Sequence, residues 1–276
     1  RKIDALGIAY AVYSTRSHAD WKPRLRVIMP LDKTVTADQY EPIARKLAST
    51  IGIELCDPTT FEASRLMYWP GCSSDSRYIF ASADKPFISA DGILALYADW
   101  HDVTKWPQVP GEANKAKTLL AKQQDPTTKD GLIGAFCRTY NIYGAIEKFI
   151  PLAYTATDKD DRLTYTGGST VAGAVVYEGG LFLYSHHATD PCSGQLVNAF
   201  DLVRLHLYGD QDSGVKPGTP TNRMPSFVAM KDAALKDAAV MTELNMARAE
   251  ENAASNVFDK LDGNTDGAAA EPKQDG

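Results

Sequence analysis

The chain has 276 residues, of which 44% are hydrophobic and 23% charged, and its formal net charge is −6. This composition is ordinary for a soluble globular protein, and the length favours two domains. The sequence has no run of about 18 apolar residues, no N-terminal signal peptide and no C-x-x-C pair among its four cysteines, which argues against a membrane span, secretion and a disulfide framework.

The charges are unevenly distributed along the chain. Residues 1–50 hold nine Lys/Arg and five Asp/Glu, a balance of +4, whereas residues 250–276 hold seven acids and two lysines, a balance of −5. The basic N-terminal segment therefore remains compatible with a phosphate-bearing partner.

The first hundred residues predict an α+β unit with an antiparallel sheet. Apolar runs predict strands at 6–14 and 25–31. Thr36 and Gln39 form a capping-box pattern, and the apolar residues that follow at helical spacing predict a helix that stops at Gly52. The remaining predicted elements of this unit are strands at 66–69, 78–82 and 87–90 and a helix at 93–100.

Residues 101–129 predict a linker, since three prolines and a lysine-rich patch replace apolar periodicity, although a helix is expected at 113–123. Residues 130–209 predict a small α+β accessory domain. Its expected elements are helices at 131–140 and 142–150, strands at 162–165, 174–177 and 181–185, and a helix that Asn198 caps and Gly209 ends. Residues 210–254 predict a loop and then a helix, which is expected at 229–254, and residues 255–276 have the composition of a disordered linker or tail.

The first candidate site is the segment Ser14-Thr15-Arg16-Ser17-His18, which ends the first predicted strand. Lys22, Arg24 and Arg26 alternate into the next strand and are expected to point to one face. Hydroxyls, an imidazole and several cations suit a triphosphate. A solvated turn followed by a strand with a polar outer face is the alternative interpretation.

The second candidate is Asp57, followed by Arg65 and a run of apolar and aromatic residues. A carboxylate at a strand end beside a phosphate site can hold a divalent metal ion. Because Asp57 precedes Pro58, an Asx-turn is the more frequent use of this pattern.

Three segments, taken in their order along the chain, resemble the archaeo-eukaryotic primase superfamily. They are S-T-R-S-H at 14–18, K-P-R-L-R-V-I-M-P-L at 22–31 and D-P-T-T-F-x-x-S-R-L-M-Y-W-P-G at 57–71. The resemblance covers about residues 5–100. It is strongest to the primase-polymerase modules of phage and mobile-element proteins, which are often fused to helicases of the virulence-associated E type. The fold that it implies is an RRM-like primase core.

The resemblance implies roles for individual residues. His18, with Ser17 or Ser14, matches the family's nucleotide-contacting motif, and Asp57 best matches the lone aspartate that completes its metal site. Arg65 and the Arg24/Arg26 pair match cations that face nucleotide or template, and Lys22 lies beside them. The family's D-x-D metal pair should precede the first strand, but only the isolated Asp4 lies there, so residues 1–100 are expected to be an N-terminally truncated core.

A third candidate combines Cys137, His186, His187 and Cys192 as zinc ligands. Structural zinc needs four convergent ligands, but neighbouring histidines on a strand point to opposite faces. A polar hairpin end with hydrogen-bonded histidines is therefore favoured over zinc. The order of elements also resembles a bacterial primase zinc ribbon that has lost most of its cysteines.

The resemblance implies a nucleotidyltransferase that uses Mg²⁺ or Mn²⁺ in the intact protein, with single-stranded DNA template and (d)NTP as partners. It also implies a helicase downstream. This chain is expected to be a fragment with weak or no activity by itself, in the cytoplasm of a bacterial host. The alternative is a non-catalytic DNA-binding or replication-initiation module that kept the fold and lost the metal site.

Overall fold

A three-stranded antiparallel sheet organises the N-terminal part of the computed structural model, which describes residues 2–74 and 76–262 and the side chains of all these except 113–117 and 253–262. Strand β1 (Tyr10–Ser14) lies at its centre, between β2 (Leu25–Ile28) and β3 (Phe80–Ala83). The predicted α+β class with antiparallel sheets is confirmed.

Three predicted elements of this part are wrong. Residues 66–69 are not a strand but an exposed extended segment, and residues 87–90 contribute only a single bridge, between Ile88 and Leu31. The helix expected at 93–100 starts earlier and is shorter: α2 spans Ala90–Leu94 and is capped by Ser89. Apolar composition indicated strands here, but β2 and β3 occupy both sides of β1, so no place beside the central strand remains.

Helix α1 (Ala37–Ile51) begins and ends as its sequence predicts. The Thr36 hydroxyl accepts a hydrogen bond from the Gln39 backbone N–H, and the Gln39 side chain accepts one from the Thr36 N–H, which completes the capping box. Ile43 of α1 packs with Ala90 and Leu94 of α2 in a small buried cluster.

The segment 101–129, predicted as a linker, is packed against the rest of the chain over its first part. Val103, Trp106 and Val109 are buried, and Val109 shares a cluster with Ala48 of α1. Helix α3 (Ala113–Lys122) follows, as expected.

A second antiparallel sheet has five strands in sequential order. They are β4 (Tyr154–Ala156), β5 (Arg162–Tyr165), β6 (Ala174–Tyr177), β7 (Phe182–Ser185) and β8 (Leu196–Val197). The three central strands were predicted, whereas β4 and β8 have only three and two residues and are too short to give a sequence pattern.

Five helices accompany this sheet: α4 (Gly131–Thr139), α5 (Ile142–Phe149), α6 (Ala199–Tyr208), α7 (Pro225–Lys236) and α8 (Ala238–Asp262). Asn198 caps α6 as predicted. The helix expected at 229–254 is two helices, because the Asp237 carboxylate accepts hydrogen bonds from the N–H groups of Ala239 and Val240 and starts a new one.

The tail predicted to be disordered from residue 255 is helical through Asp262, so this boundary was wrong. The remainder of that predicted tail, residues 263–276, lies outside the described residues. Within the described part of the chain, no helix is both long and apolar enough to cross a bilayer.

A buried carboxylate joins α1 to the second sheet region. Asp38 accepts hydrogen bonds from the N–H (2.7 Å) and hydroxyl (2.9 Å) of Ser169 and, at 3.4 Å, from the Thr189 hydroxyl. These bonds connect the first turn of α1 to two connections of the five-stranded sheet.

Candidate functional site

The hairpin between β1 and β2 brings the first candidate residues together. The Thr15 N–H donates to the Arg24 carbonyl (3.0 Å), and Ala19 and Lys22 form a bridge at the tip. Ser17, Lys22 and Arg24 are exposed on this loop, whereas Ser14 is buried at its base, where its hydroxyl accepts a bond from the Ile79 N–H. The segments that the sequence placed on two successive strand ends therefore form one hairpin.

His18 is buried inside this loop, with 5% of its surface exposed. Its Nδ1 accepts a hydrogen bond from the Arg24 N–H at 3.0 Å, which leaves the proton of the neutral ring on Nε2. Among the described residues, Nε2 has no hydrogen-bond partner. A buried donor without an acceptor costs about 1–3 kcal/mol, so a ligand oxygen that reached Nε2 would recover this free energy.

Two serine hydroxyls bond to backbone carbonyls of the His18 loop. The Ser76 hydroxyl donates to the His18 carbonyl (2.8 Å), and the Ser73 hydroxyl donates to the Arg16 carbonyl (3.3 Å).

One face of the three-stranded sheet carries a cation and aromatic rings. Arg26, Tyr13 and Phe80 are cross-strand partners in one row and so share a face. The Tyr68 carbonyl accepts hydrogen bonds from the Arg26 guanidinium (2.5 Å) and the Tyr13 hydroxyl (3.5 Å). The segment 66–69 is therefore held over this face by its backbone.

Side chains of this segment are unusually exposed for their size. Tyr68 is 70% and Trp69 is 93% exposed. Leu66 and Met67, which precede them in the chain, and Phe80, which lies on the sheet, are exposed as well. We call Tyr68, Trp69 and Phe80 the aromatic group. Exposed aromatic rings next to cations are typical of surfaces that stack single-stranded bases.

Asp57 lies apart from the hairpin. Its carboxylate accepts from the Thr59 N–H (3.0 Å) and hydroxyl (2.8 Å) and caps the short 3-10 helix Pro58–Phe61. This helix packs on α1, where Phe61 is buried beside Ala48. Asp57 thus forms the Asx-turn that the sequence offered as the alternative. Arg65 is exposed on the segment that leads to Tyr68.

The described residues do not supply a two-metal site for Mg²⁺ or Mn²⁺. Asp57 belongs to no group of three or more potential ligands in the part of the chain that the structure describes. Asp4, the acid before β1, accepts a hydrogen bond from the Tyr10 hydroxyl at 2.6 Å. Assignment of Asp57 to a metal ion stays a prediction, and no catalytic step is derived from it.

The four residues considered as zinc ligands do not converge. Cys137 belongs to the helical core with Phe136 and Phe200, and burial raises the pKa of its thiol to about 11. Cys192 belongs to a different cluster, under the five-stranded sheet. Burial lowers the pKa of His186 to about 4, so this imidazole is neutral at physiological pH.

His187 has a structural role in the second sheet. Its Nε2 accepts hydrogen bonds from the N–H groups of Tyr165 (3.1 Å) and Gly173 (3.2 Å), so Nδ1 carries the proton and faces the Thr170 hydroxyl at 2.6 Å. A Cβ at Gly173 would lie only 2.9 Å from the ring, so glycine is required at this position. Both ring nitrogens of His187 therefore have hydrogen-bond partners.

Cys192, which the sequence analysis named as a possible zinc ligand, belongs to a buried polar group with three residues that it did not name: Tyr154, Asp190 and His206. Asp190 is 4% exposed, and its carboxylate accepts bonds from the Tyr154 hydroxyl (2.7 Å) and the Cys192 thiol (3.0 Å). His206 Nε2 lies 3.2 Å from the Asp190 carboxylate and 2.9 Å from the Tyr154 hydroxyl. In the sequence, His206 is the residue that could have revealed this group. It is polar but lies four positions after the buried Leu202, on the side of α6 that faces the core.

Comparison with known proteins identifies the N-terminal part of the chain. Residues 2–109 match the family model of the VapE N-terminal domain. This match confirms the predicted relation to virulence-associated E proteins. No curated protein and no solved structure matches the chain.

Proposed function

Because residues 2–109 match the family model of the VapE N-terminal domain, we propose that this chain is the nucleotide- and template-contacting part of a primase-polymerase in a phage or mobile-element replication protein. The observation that carries the proposal is the β1–β2 hairpin, which bears exposed cations and the buried Nε2 of His18, an atom with no hydrogen-bond partner among the described residues.

The hairpin suits the phosphates of an incoming nucleotide. His18 Nε2 offers a donor that is already desolvated, and Lys22 and Arg24 add two positive charges on the same loop. Charge-assisted hydrogen bonds to phosphate oxygens are roughly twice as strong as neutral ones. We therefore assign nucleotide binding to His18, Lys22 and Arg24, with Ser17 at the exposed end.

The aromatic group suits a single-stranded template. Tyr68 and Trp69 present their rings to solvent, while Arg26 holds the Tyr68 backbone in place. Bases of any sequence can stack on such rings. Arg65, which precedes Tyr68 on the same segment, would contact the phosphate backbone. Template and nucleotide would then lie on adjoining parts of one small sheet.

Replacing His18 by asparagine tests the nucleotide site. Asparagine Oδ1 can keep the acceptor for the Arg24 N–H but removes the Nε2 donor. We expect the affinity for a dNTP to fall about 10- to 100-fold, which corresponds to a lost bond of about 1.5–3 kcal/mol to a charged group. Thermal stability should fall modestly, because asparagine is smaller than the buried imidazole and its amide N–H groups also need partners.

Isothermal titration with a dNTP measures the affinity, and melting by circular dichroism measures stability. The matched control is His101→Asn, a histidine that stacks on Trp100 far along the chain from the hairpin. Equal dNTP affinity in His18→Asn and the parent chain would remove His18 from the proposed site.

Replacing Trp69 by alanine tests the template surface. Loss of one stacking ring should weaken binding of a single-stranded DNA oligonucleotide by about 1–3 kcal/mol, or roughly 5- to 150-fold, without a loss of stability. Fluorescence anisotropy of a labelled oligonucleotide measures this change. Tyr143→Ala, an exposed aromatic change on α5, is the control, and an equal loss in both variants would contradict a specific template surface.

A non-catalytic DNA-binding module is the second candidate, favoured by one observation: the Asp57 carboxylate accepts hydrogen bonds from the Thr59 N–H and hydroxyl and caps the short helix Pro58–Phe61. The two functions differ in template-directed incorporation of labelled dNTP by the whole replication protein. Incorporation that falls in the His18→Asn variant supports the primase-polymerase. Oligonucleotide binding without dNTP binding or incorporation supports the second candidate.

A further inference from the structure

We propose that Asp190, Cys192 and His206, together with Tyr154, form a structural zinc site in the second half of the chain. Tyr154 begins β4, Asp190 and Cys192 lie in the connection between β7 and β8, and His206 lies on α6. The four side chains thus come from three separate parts of the fold.

The potential ligand atoms are arranged as a cage. The Cys192 Sγ, the Asp190 carboxylate oxygen and the His206 nitrogen lie within 4.8 Å of one another. The Tyr154 hydroxyl oxygen is 2.7 Å from Oδ2 of Asp190, 2.9 Å from His206 Nε2 and 3.4 Å from Cys192 Sγ. The other carboxylate oxygen, Oδ1, is 3.0 Å from Cys192 Sγ and 3.2 Å from His206 Nε2. Zinc–ligand bonds of about 2.0–2.3 Å place tetrahedral ligands about 3.3–3.7 Å apart, so the closest of these pairs would have to separate by roughly half an ångström to admit the ion.

The donor atoms favour zinc over the other common ions. A thiolate and an imidazole are preferred by Zn²⁺, and a carboxylate is its third frequent ligand. Mg²⁺ and Ca²⁺ select oxygen ligands and would leave the sulfur unused. The phenol oxygen of Tyr154 supplies the fourth position, which makes the site closed, as structural zinc sites are.

The predicted absence of zinc rested on ligand count, since Cys137 was the only distant partner considered. The fold supplies other partners: His206 from α6 and Tyr154 from β4, while Cys137 lies in another cluster. The ion would connect the edge strand β4 and the β7–β8 connection to α6.

Metal content of the purified chain tests the proposal. We expect about one zinc per chain by elemental analysis after gel filtration. Cobalt(II) exchanged into the site should give the visible bands of a tetrahedral ion and a thiolate-to-cobalt charge-transfer band. Cys192→Ser should lose the charge-transfer band and most of the bound zinc, and chelation should lower the melting temperature of the parent chain more than that of the variant.

Cys137→Ser is the matched control, because it alters another buried thiol outside the cage. It should retain zinc and the cobalt spectrum. His206→Gln is a second variant in case Cys192→Ser does not fold, and it should lower zinc content while keeping the charge-transfer band of any cobalt that binds. A folded parent chain that holds no zinc and gives no thiolate band with cobalt would overturn the proposal.

Discussion

Replacing Arg45 by alanine should lower the free energy of unfolding by about 3–5 kcal/mol. Arg45 is 3% exposed, and its guanidinium binds both carboxylate oxygens of Glu112 (2.6 and 2.9 Å) and one oxygen of Glu41 (2.8 Å). It also donates to the Pro107 carbonyl at 3.1 Å and lies over the Phe61 ring. Removal of this cation leaves the largely buried Glu112 carboxylate without a counter-charge and both glutamates without their hydrogen-bond donor, which costs more than the lost packing alone.

Urea unfolding at neutral pH measures the change. Lys33→Ala is the control, since the Lys33–Asp91 ion pair is exposed and such pairs contribute little. Arg45→Met combined with Glu41→Gln and Glu112→Gln removes the charges together and should recover a large part of the loss. A triple variant as unstable as Arg45→Ala would show that shape, and not uncompensated charge, dominates.

The Arg45 network is a long-range contact of the predicted linker 101–129 that its sequence pattern does not indicate. Glu112 follows Pro110 and Gly111 in a stretch without apolar periodicity, so its local pattern indicates a loop. Its ion pair with a residue 67 positions earlier fixes that loop to α1. Local composition indicates whether a segment is a helix, a strand or a loop, but not which distant charged residue the segment contacts.

Elements with strong local signals were predicted at their correct positions. The capping box at Thr36 and the cap at Asn198 each satisfy free N–H groups within a single turn, so neighbours in sequence decide them. The residues 66–69 gave the opposite result. Their apolar and aromatic character favours a strand, but a strand also needs a free partner, and β1 already has two.

The candidate sites also differ in whether their residues are brought together by nearby sequence or by packing of distant elements. Ser14, His18 and Arg24 share one hairpin, so their proximity follows from sequence spacing once β1 and β2 are recognised. Asp190 and His206 meet only because α6 packs back on the sheet. A pattern confined to residues 184–192 could not reveal that second ligand.

Replacing Glu41 by glutamine should stabilise the protein above neutral pH by up to about 3 kcal/mol. Burial raises the pKa of Glu41 from 4.5 to about 7, although Arg45 lies beside it, and Glu112 and Glu62 add further repulsion. Burial also works against Glu112, but the hydrogen bonds and charge of Arg45 lower its pKa. The Arg45 cation thus balances the negative charge of Glu112, and Glu41 keeps its proton up to about pH 7.

The pH dependence follows from proton binding in the two states. Between about pH 4.5 and 7 the folded protein holds the Glu41 proton while the unfolded chain has released it, so stability falls as pH rises through this window. A shift of about 2.5 units at 1.36 kcal/mol each gives the limit of about 3 kcal/mol. Glutamine has no proton to lose, so this component disappears.

Urea unfolding from pH 4.5 to 8.5 isolates this component as the difference between Glu41→Gln and the parent chain. We expect the two to be nearly equal at pH 4.5 and to diverge until about pH 7, with the variant more stable. Glu147→Gln, a change at an exposed glutamate on α5, is the control and should give a constant difference. A parent chain that gains stability relative to Glu41→Gln as pH rises would mean that Arg45 keeps Glu41 ionised. Arg45, Glu41 and Glu112 together would then carry a net charge of −1, instead of the zero net charge that a protonated Glu41 gives.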